Sequence, residues 1–308
     1  MKKLAILILL FSLPQAEAGP SYKNFAVTEI SPGNFVHYGL MEDRSPANFG
    51  DNANIGFIIG EKCVMVIDTG GSLHVGIALR RAIRERTALP VCHVVLTHAH
   101  PDHFFGAAAF HEDHPQFIGH INLARQLSMR ARPYLNSLKR DLGDALAEGS
   151  EIVKPTIIVQ DMLVIDLGGR SVEIRAWPTA HTDDDLTVLD HQTGTWWLSD
   201  LLFVDHTPVV DGSLKGFLDV IGNLKGRSAA QVVAGHGRSP SPWPRPLDDE
   251  ERYFRVILEE TRLALKHKKT IQQAVDEVGL SEASKWVNFD TYHRRNVTTA
   301  YTELEWED

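Results

Sequence analysis

Val91-Cys92-His93-Val94-Val95-Leu96-Thr97-His98-Ala99-His100-Pro101-Asp102-His103 is the stretch on which the reading of this chain turns. Residues 91–96 form an apolar run bounded by Pro90, which reads as a buried strand. His98, His100, Asp102 and His103 follow directly. Neutral imidazole and carboxylate are the donors that borderline metals such as zinc prefer. Side chains alternate along an extended segment, so His98 and His100 share a face, while the turn at Pro101 aims Asp102 and His103 elsewhere. That split suits two metals. The competing explanation is a His-rich loop that binds nothing, and residues far downstream argue against it. His181 closes Trp177-Pro-Thr-Ala-His181, Asp200 ends or interrupts Trp196-Trp-Leu-Ser-Asp200, and His236 sits between Gly235 and Gly237 after an apolar run. Each falls at the C-terminal end of a strand or in the loop after one.

Working outward, residues 25–30, 34–38, 54–59 and 63–67 read as short strands punctuated by Gly and Asn or Asp. Residues 74–87 carry helical periodicity. After a short strand at 116–120, Asn122 is placed to cap a helix over 123–132, which Pro133 interrupts before a polar helical stretch at 134–147. Strands return at 156–159, 162–166, 171–176, 185–190 and 195–203, then a helix at 213–224 and a strand at 231–234. Two halves of strands followed by helices predict an αββα sandwich, with two packed mixed β-sheets and helices outside. Residues 247–308 differ: helices are expected at 250–267, 270–278 (a Thr270–Gln273 capping box, stopped by Gly279) and about 292–303. The expected organisation is a segment 1–18, a main domain 19–246, and a helical extension 247–308 packed on it.

The chain has 308 residues, 43% hydrophobic and 23% charged, enough apolar content for a real core. A net charge of −9 argues against a nucleic-acid backbone as partner. Lys2 and Lys3, the short apolar run Leu4–Leu13 and Ala16-Glu17-Ala18 read as a signal peptide cleaved before Gly19, with an uncleaved anchor as the alternative. The expectation is an exported, periplasmic protein with no membrane span in the mature chain. Cys63 and Cys92 lie near the starts of strands that could be neighbours, as a disulfide or as two buried thiols.

His98-x-His100-x-Asp102-His103, followed by His181, Asp200 and Gly235-His236, resembles the defining pattern of the metallo-β-lactamase superfamily over about residues 25–240. The resemblance implies that His98, His100 and His181 hold one metal, that Asp102, His103 and His236 hold the second, and that Asp200 bridges them. It assigns catalytic parts to Asp102 and Asp200, and two Zn2+ as cofactor, with iron as the alternative. The implied activity is a hydrolase whose nucleophile is a metal-bridging hydroxide, acting on an ester-, thioester- or lactam-like bond. Members that hydrolyse antibiotics commonly carry Cys or Ser where Asp200 stands, whereas thioesterase-like members carry Asp. More narrowly, Asp200-Leu-Leu-Phe-Val-Asp-His-Thr-Pro208, Val210-Asp-Gly-Ser-Leu-Lys-Gly216 and the ending Tyr292-His-Arg-Arg-Asn-Val297 resemble the quinoprotein relay system zinc metallohydrolases, the SoxH-type hydrolases. Those are associated with pyrroloquinoline quinone-dependent dehydrogenases and c-type cytochromes as partners. This sequence departs from that pattern at Ser199, where Gly commonly precedes the bridging Asp.

Around this set, Asp68 is expected to support the metal loop, as it does in the superfamily, against plain turn chemistry. Of Asp183, Asp184 and Asp185, one is a candidate to orient an imidazole and at least two are expected in solvent. His206 reads as a surface-loop residue, with contact to the substrate as the alternative, His120 as packing or capping, and His93 as structural. Arg130, Arg132 and Tyr134 read as solvated helix charge, with anion binding as the alternative. Of Trp196 and Trp197, one should be core and the other could support the site. Two further functions stay open: an iron-dependent oxidoreductase of persulfide dioxygenase type, and a non-catalytic accessory protein that binds a quinone or a dehydrogenase.

Overall fold

A computed structural model describes residues 22, 25–238 and 241–307. The expected signal peptide lies outside them. The strands are β1 (Thr28–Ser31), β2 (Asn34–His37), β3 (Ile55–Ile59), β4 (Val64–Ile67), β5 (Val91–Leu96), β6 (Gln116–His120), β7 (Ile157–Val159), β8 (Met162–Asp166), β9 (Ser171–Ala176), β10 (Leu186–Asp190), β11 (Thr195–Phe203) and β12 (Gln231–His236). The helices are α1 (Leu73–Arg84), α2 (Pro101–Phe104), α3 (Leu123–Leu142), α4 (Asp144–Ala147), α5 (Leu214–Lys225), α6 (Pro246–Lys266), α7 (Ile271–Glu277) and α8 (Phe289–Leu304). β1 to β7 form one sheet in chain order, and the second runs β12-β11-β10-β9-β8. Both are mixed: β4, β5, β6 and β7 pair in parallel, as do β11 and β12, and the remaining pairs are antiparallel.

Strand alternation builds the layers. Val64, Val66, Val94 and Leu96 face α1 and α3 in one apolar cluster, while Met65, Ile67 and Val95 face the second sheet in another. On β11, Trp197 points between the sheets and Trp196 points the opposite way, towards α5 and the C-terminal helices. Both tryptophans are core, and neither lines the metal pocket described below. This is the αββα sandwich expected from the strand and helix pattern. No helix among the described residues is long and apolar enough to cross a membrane.

Two local expectations fail for physical reasons. α3 runs straight through Pro133. Leu123, Leu127, Leu138 and Leu142 lie on its one buried face, and their packing outweighs the roughly 3 kcal/mol cost of an interior proline. Asn122 precedes α3 but makes no capping bond; its amide donates to the Asp183 carbonyl at 2.7 Å. Cys63 and Cys92 are free thiols, and burial followed by the neighbouring Cys92 pushes the Cys63 thiol up to about 12.

The C-terminal helices close the fourth layer. Leu247, Tyr253, Phe254, Ile257, Trp286, Phe289, Val297 and Ala300 share one apolar cluster with Trp196, Leu198 and Phe217. The Thr270–Gln273 capping box is present on α7, and Gly279 supplies the left-handed backbone after it (φ 71°). Phe254 is fully buried, 4.6 Å from the Phe217 ring, whereas Leu263 on the same helix is 54% exposed. Phe254→Ala should therefore cost about 3–5 kcal/mol and Leu263→Ala about 0.5 kcal/mol or less. Thermal unfolding should show a fall in midpoint of roughly 10 °C for the first and little change for the second. Equal small shifts would mean that the helical extension is not integral to the folded unit.

Candidate metal centre

All seven residues singled out from the sequence come together at one end of the sandwich. His98, His100, His181 and Asp200 form one group, and Asp102, His103 and His236 a second; within each, one ligand atom per residue lies within 4.8 Å of the others. Asp200 lies between the groups. Its carboxylate is 3.3 Å from His181 Nε2, 3.7 Å from His98 Nε2, 3.1 Å from His103 Nε2 and 3.5 Å from His236 Nε2.

The backbone explains this convergence. After β5 the chain bends at His98 and Ala99, and His100, itself extended (φ −99°, ψ 140°), leads into α2 with Pro101 at its first turn. Proline suits that position because its missing N–H is not needed there. Asp102 and His103 are thereby carried onto a helical turn and face the second group. Asp200 sits within β11 just after Ser199, a left-handed residue (φ 48°) at which the β11–β12 register shifts. Gly235 opposite is obligatory: a Cβ there would fall 1.9 Å from Asp200 Oδ1.

Outer partners fix the rings. Asp68, itself left-handed (φ 55°), accepts from the Thr97 amide, the Thr97 hydroxyl and His103 Nδ1, each at 2.8 Å. His181 Nδ1 donates to the Val209 carbonyl at 2.7 Å, and His100 Nε2 donates to Asp211 at 2.9 Å. His181 and His103 thus turn Nε2 inward, while His100 turns Nδ1 inward, 2.8 Å from His181 Nε2. Burial drives His181 down to about 4. Burial also lowers His103, but Asp200, Asp68 and Asp102 outweigh it and hold this ring well above its ordinary value. Burial opposes ionisation of Asp200, yet the rings of His103, His236, His98 and His181 keep it well below the carboxylate range.

The donor set fits divalent metal. His98 Nε2, His103 Nε2 and Asp200 Oδ1 are buried without a hydrogen-bond partner. Leaving such atoms unpaired costs about 1–3 kcal/mol each, and a cation at their convergence would satisfy them together. His98, His100, His181 and Asp200 would hold one ion; Asp102, His103 and His236, with Asp200, the other.

Other site residues differ from the sequence reading. His206 is buried, not a surface residue: it stacks on His236 at 5.0 Å and contacts the Tyr292 ring at 5.0 Å. Burial and then His236 lower it to about 4. Asp184 and Asp185 are buried too. Asp184 accepts from the Ala99 amide at 3.3 Å and the Thr182 hydroxyl at 2.7 Å; burial raises Asp185 to about 7. Only Asp183 lies towards solvent, bound by Arg125 and Gln126, and none of the three orients an imidazole. That task falls to Asp211, 30 residues past His181 and paired on its other side with Arg295 of α8. Its one sequence signal was the Val210-Asp-Gly turn. Arg130 and Tyr134 line the pocket, as do Arg44, Tyr292 and Arg295. Arg132 is exposed.

Residues 49–275 match the family model described as metallo-beta-lactamase superfamily. No curated protein sequence matches the chain. The stereoselective inverting sec-alkylsulfatase Pisa1 from Pseudomonas sp. superposes with a TM-score of 0.71 at 15% identity, over 92% of this chain and 51% of that one. This chain thus spans about half the alkylsulfatase's length. A metallo-beta-lactamase from Pontibacter korlensis gives 0.60 at 19% identity, covering 75% and 99%. One from Hirschia baltica gives 0.55 at 14%, covering 70% and 92%. At these identities the likeness is one of fold.

Asp211→Asn keeps the shape but removes the charge behind His100. Metal affinity of the first group should fall about 10- to 100-fold, read by competition with a chelator. Asp219→Asn, an exposed change on α5, should leave it unaltered. Equal affinities in the two variants would remove Asp211 from any supporting role.

Proposed function

This chain belongs to the metallo-beta-lactamase superfamily, and on that footing we propose that it is a metal-dependent hydrolase carrying two zinc ions. The observation that carries the reading is the set of buried atoms of His98, His103 and Asp200 that lack hydrogen-bond partners, beside an open pocket of about 450 Å3 that Asp200, His100, Asp102 and His236 line. Five imidazoles and two carboxylates favour zinc over hard cations, which prefer all-oxygen sets. Two such ions, when bound, supply Lewis acidity and make water nucleophilic near neutral pH.

The chain's own residues prepare that chemistry. Asp200 and Asp102 bring negative charge between the rings. Asp68, Asp211 and the Val209 carbonyl fix which nitrogen of His103, His100 and His181 points inward. The rings of Phe203 and His206, 6.0 Å from each other, both pack against the His236 ring, at 5.2 and 5.0 Å, and limit its motion. We take the scissile bond to be ester-, thioester- or lactam-like. A β-lactam is the least favoured substrate, because Asp200 stands where antibiotic-hydrolysing members commonly carry Cys or Ser. The motifs at 200–216 and 292–297 support a place among the quinoprotein relay system hydrolases. With the N-terminal segment, they support a periplasmic location and an association with a quinoprotein dehydrogenase or c-type cytochrome.

Metal analysis of protein purified without chelator should give close to two zinc per chain, with turnover of a thioester or ester panel exceeding that of penicillins and carbapenems. Asp200→Ala should lower metal content and abolish hydrolysis, while Asp183→Ala, which removes a carboxylate bonded to Arg125 and Gln126, should leave both near normal. A single iron per chain with no hydrolysis would overturn the reading in favour of an oxidoreductase.

A further inference from the structure

The cavity over the metal groups is walled by three arginines and no lysine: Arg44 from the 40–52 loop, Arg130 from α3 and Arg295 from α8. Five aspartates share the same walls, and four of them are engaged in ways that leave the arginines unevenly neutralised. Asp102 and Asp200 belong to the metal groups. Asp211 is shared by His100 and Arg295. Asp141 pairs with Arg44 Nη2 at 2.8 Å, but Arg44 Nη1 is buried with no partner. The fifth, Asp43, accepts from the Tyr292 hydroxyl at 3.0 Å.

Arg130 stands apart. Among the described residues it makes no ion pair; its one bond is Nη1 to the Tyr134 hydroxyl at 3.1 Å. It is half-buried at the cavity wall, not extended into bulk water. Tyr134 lies four residues along α3, on the same face, and accepts that bond, so its own hydrogen is free for another acceptor. A guanidinium with spare donors beside a phenolic O–H is a receptor for a planar or tetrahedral oxyanion.

We propose that the substrate of this site carries an oxyanion separate from its scissile bond, gripped by Arg130 and Tyr134 with Arg44 Nη1 as a further donor. This deepens the hydrolase reading and rests on it for the word substrate, but the anion site itself does not. The arginines would set binding and orientation; the chemistry would remain with the metal groups. Carboxylate and sulfate share the recognising chemistry, so each is probed separately.

The test uses the full chain with its metals. Inorganic sulfate and acetate are titrated by calorimetry and by thermal shift into the unsubstituted protein, Arg130→Gln, Arg130→Lys and Arg132→Gln. Charge-assisted hydrogen bonds of this kind imply at least about a tenfold loss of anion affinity in Arg130→Gln. Arg130→Lys should give partial recovery and Arg132→Gln no change, and the ion that binds more tightly identifies the substrate's group. In parallel, an uncharged aryl ester is compared with one bearing a terminal carboxylate or sulfate. The charged ester should have the lower KM, and Arg130→Gln should erase the advantage through KM with little change in kcat. Equal losses in Arg130→Gln and Arg132→Gln, or hydrolysis of charged and uncharged esters with equal KM, would overturn the anion site and leave the hydrolase standing. Arg130-dependent anion binding without hydrolysis of any ester would do the reverse.

Discussion

One buried carboxylate holds this end of the molecule together. Asp68 leaves β4 in a left-handed conformation and accepts four hydrogen bonds, two from Thr97, one from His103 and a longer one from the Ser199 hydroxyl at 3.4 Å. Those bonds tie the end of β4 to the end of β5 and to the first turn of α2. Thr97 in turn contacts the Ser199 hydroxyl at 2.8 Å, so the same knot crosses to the second sheet immediately before Asp200. A carboxyl group buried in such a place is tolerable because these donors satisfy its oxygens. The arrangement also decides ring orientation. With Nδ1 of His103 committed to Asp68, only Nε2 is left to face inward, and it faces Asp200. Ser199, which departs from the glycine common before the bridging Asp, is accommodated because its hydroxyl joins this network; the left-handed backbone is the strain it carries.

The C-terminal helices reach the metal groups through a second chain of contacts. Asn296 on α8 is fully buried, donates to the Pro208 carbonyl at 2.6 Å and accepts from the Val210 amide at 3.1 Å. Tyr253 on α6 receives a bond from the same amide group at 2.8 Å. These bonds shape the loop that carries Val209 and Asp211, the residues behind His181 and His100. Arg295, one position before Asn296, completes the relay by pairing with Asp211. The helices that the sequence marks as an extension packed on the main domain therefore set the orientation of two histidines in the first group. They also supply Thr291, Tyr292 and Arg295 to the pocket wall. Glu250 extends the same theme: it is fully buried on α6, its Oε1 accepts from the Phe203 amide, and burial holds it well above the usual carboxylate value.

What was legible beforehand divides along the same line. Strands β5, β6, β8, β9 and β11 fall where the apolar runs placed them, and the seven metal-group residues were identifiable because local spacing and strand ends reveal them. The residues that were missed or misread act across long separations. Asp211 meets a ring 111 positions earlier, His206 is buried by Phe203, His236 and a tyrosine 86 positions later, and Asp184 is drawn inward by an amide 85 positions earlier. A loop aspartate and a loop histidine look solvated from their neighbours alone, since short polar runs carry no periodicity that would mark them as buried. Pro133 makes the same point in reverse. Its local chemistry argues for a break, and only the leucine stripe packing on the first sheet reveals why the helix continues. The residues of the two groups can thus be read from local spacing and from several strands and the loops after them, but the partners that orient them depend on the packing of layers whose elements are far apart in the chain. The supporting set around this centre is therefore a property of the fold, where the ligand set is a property of the sequence.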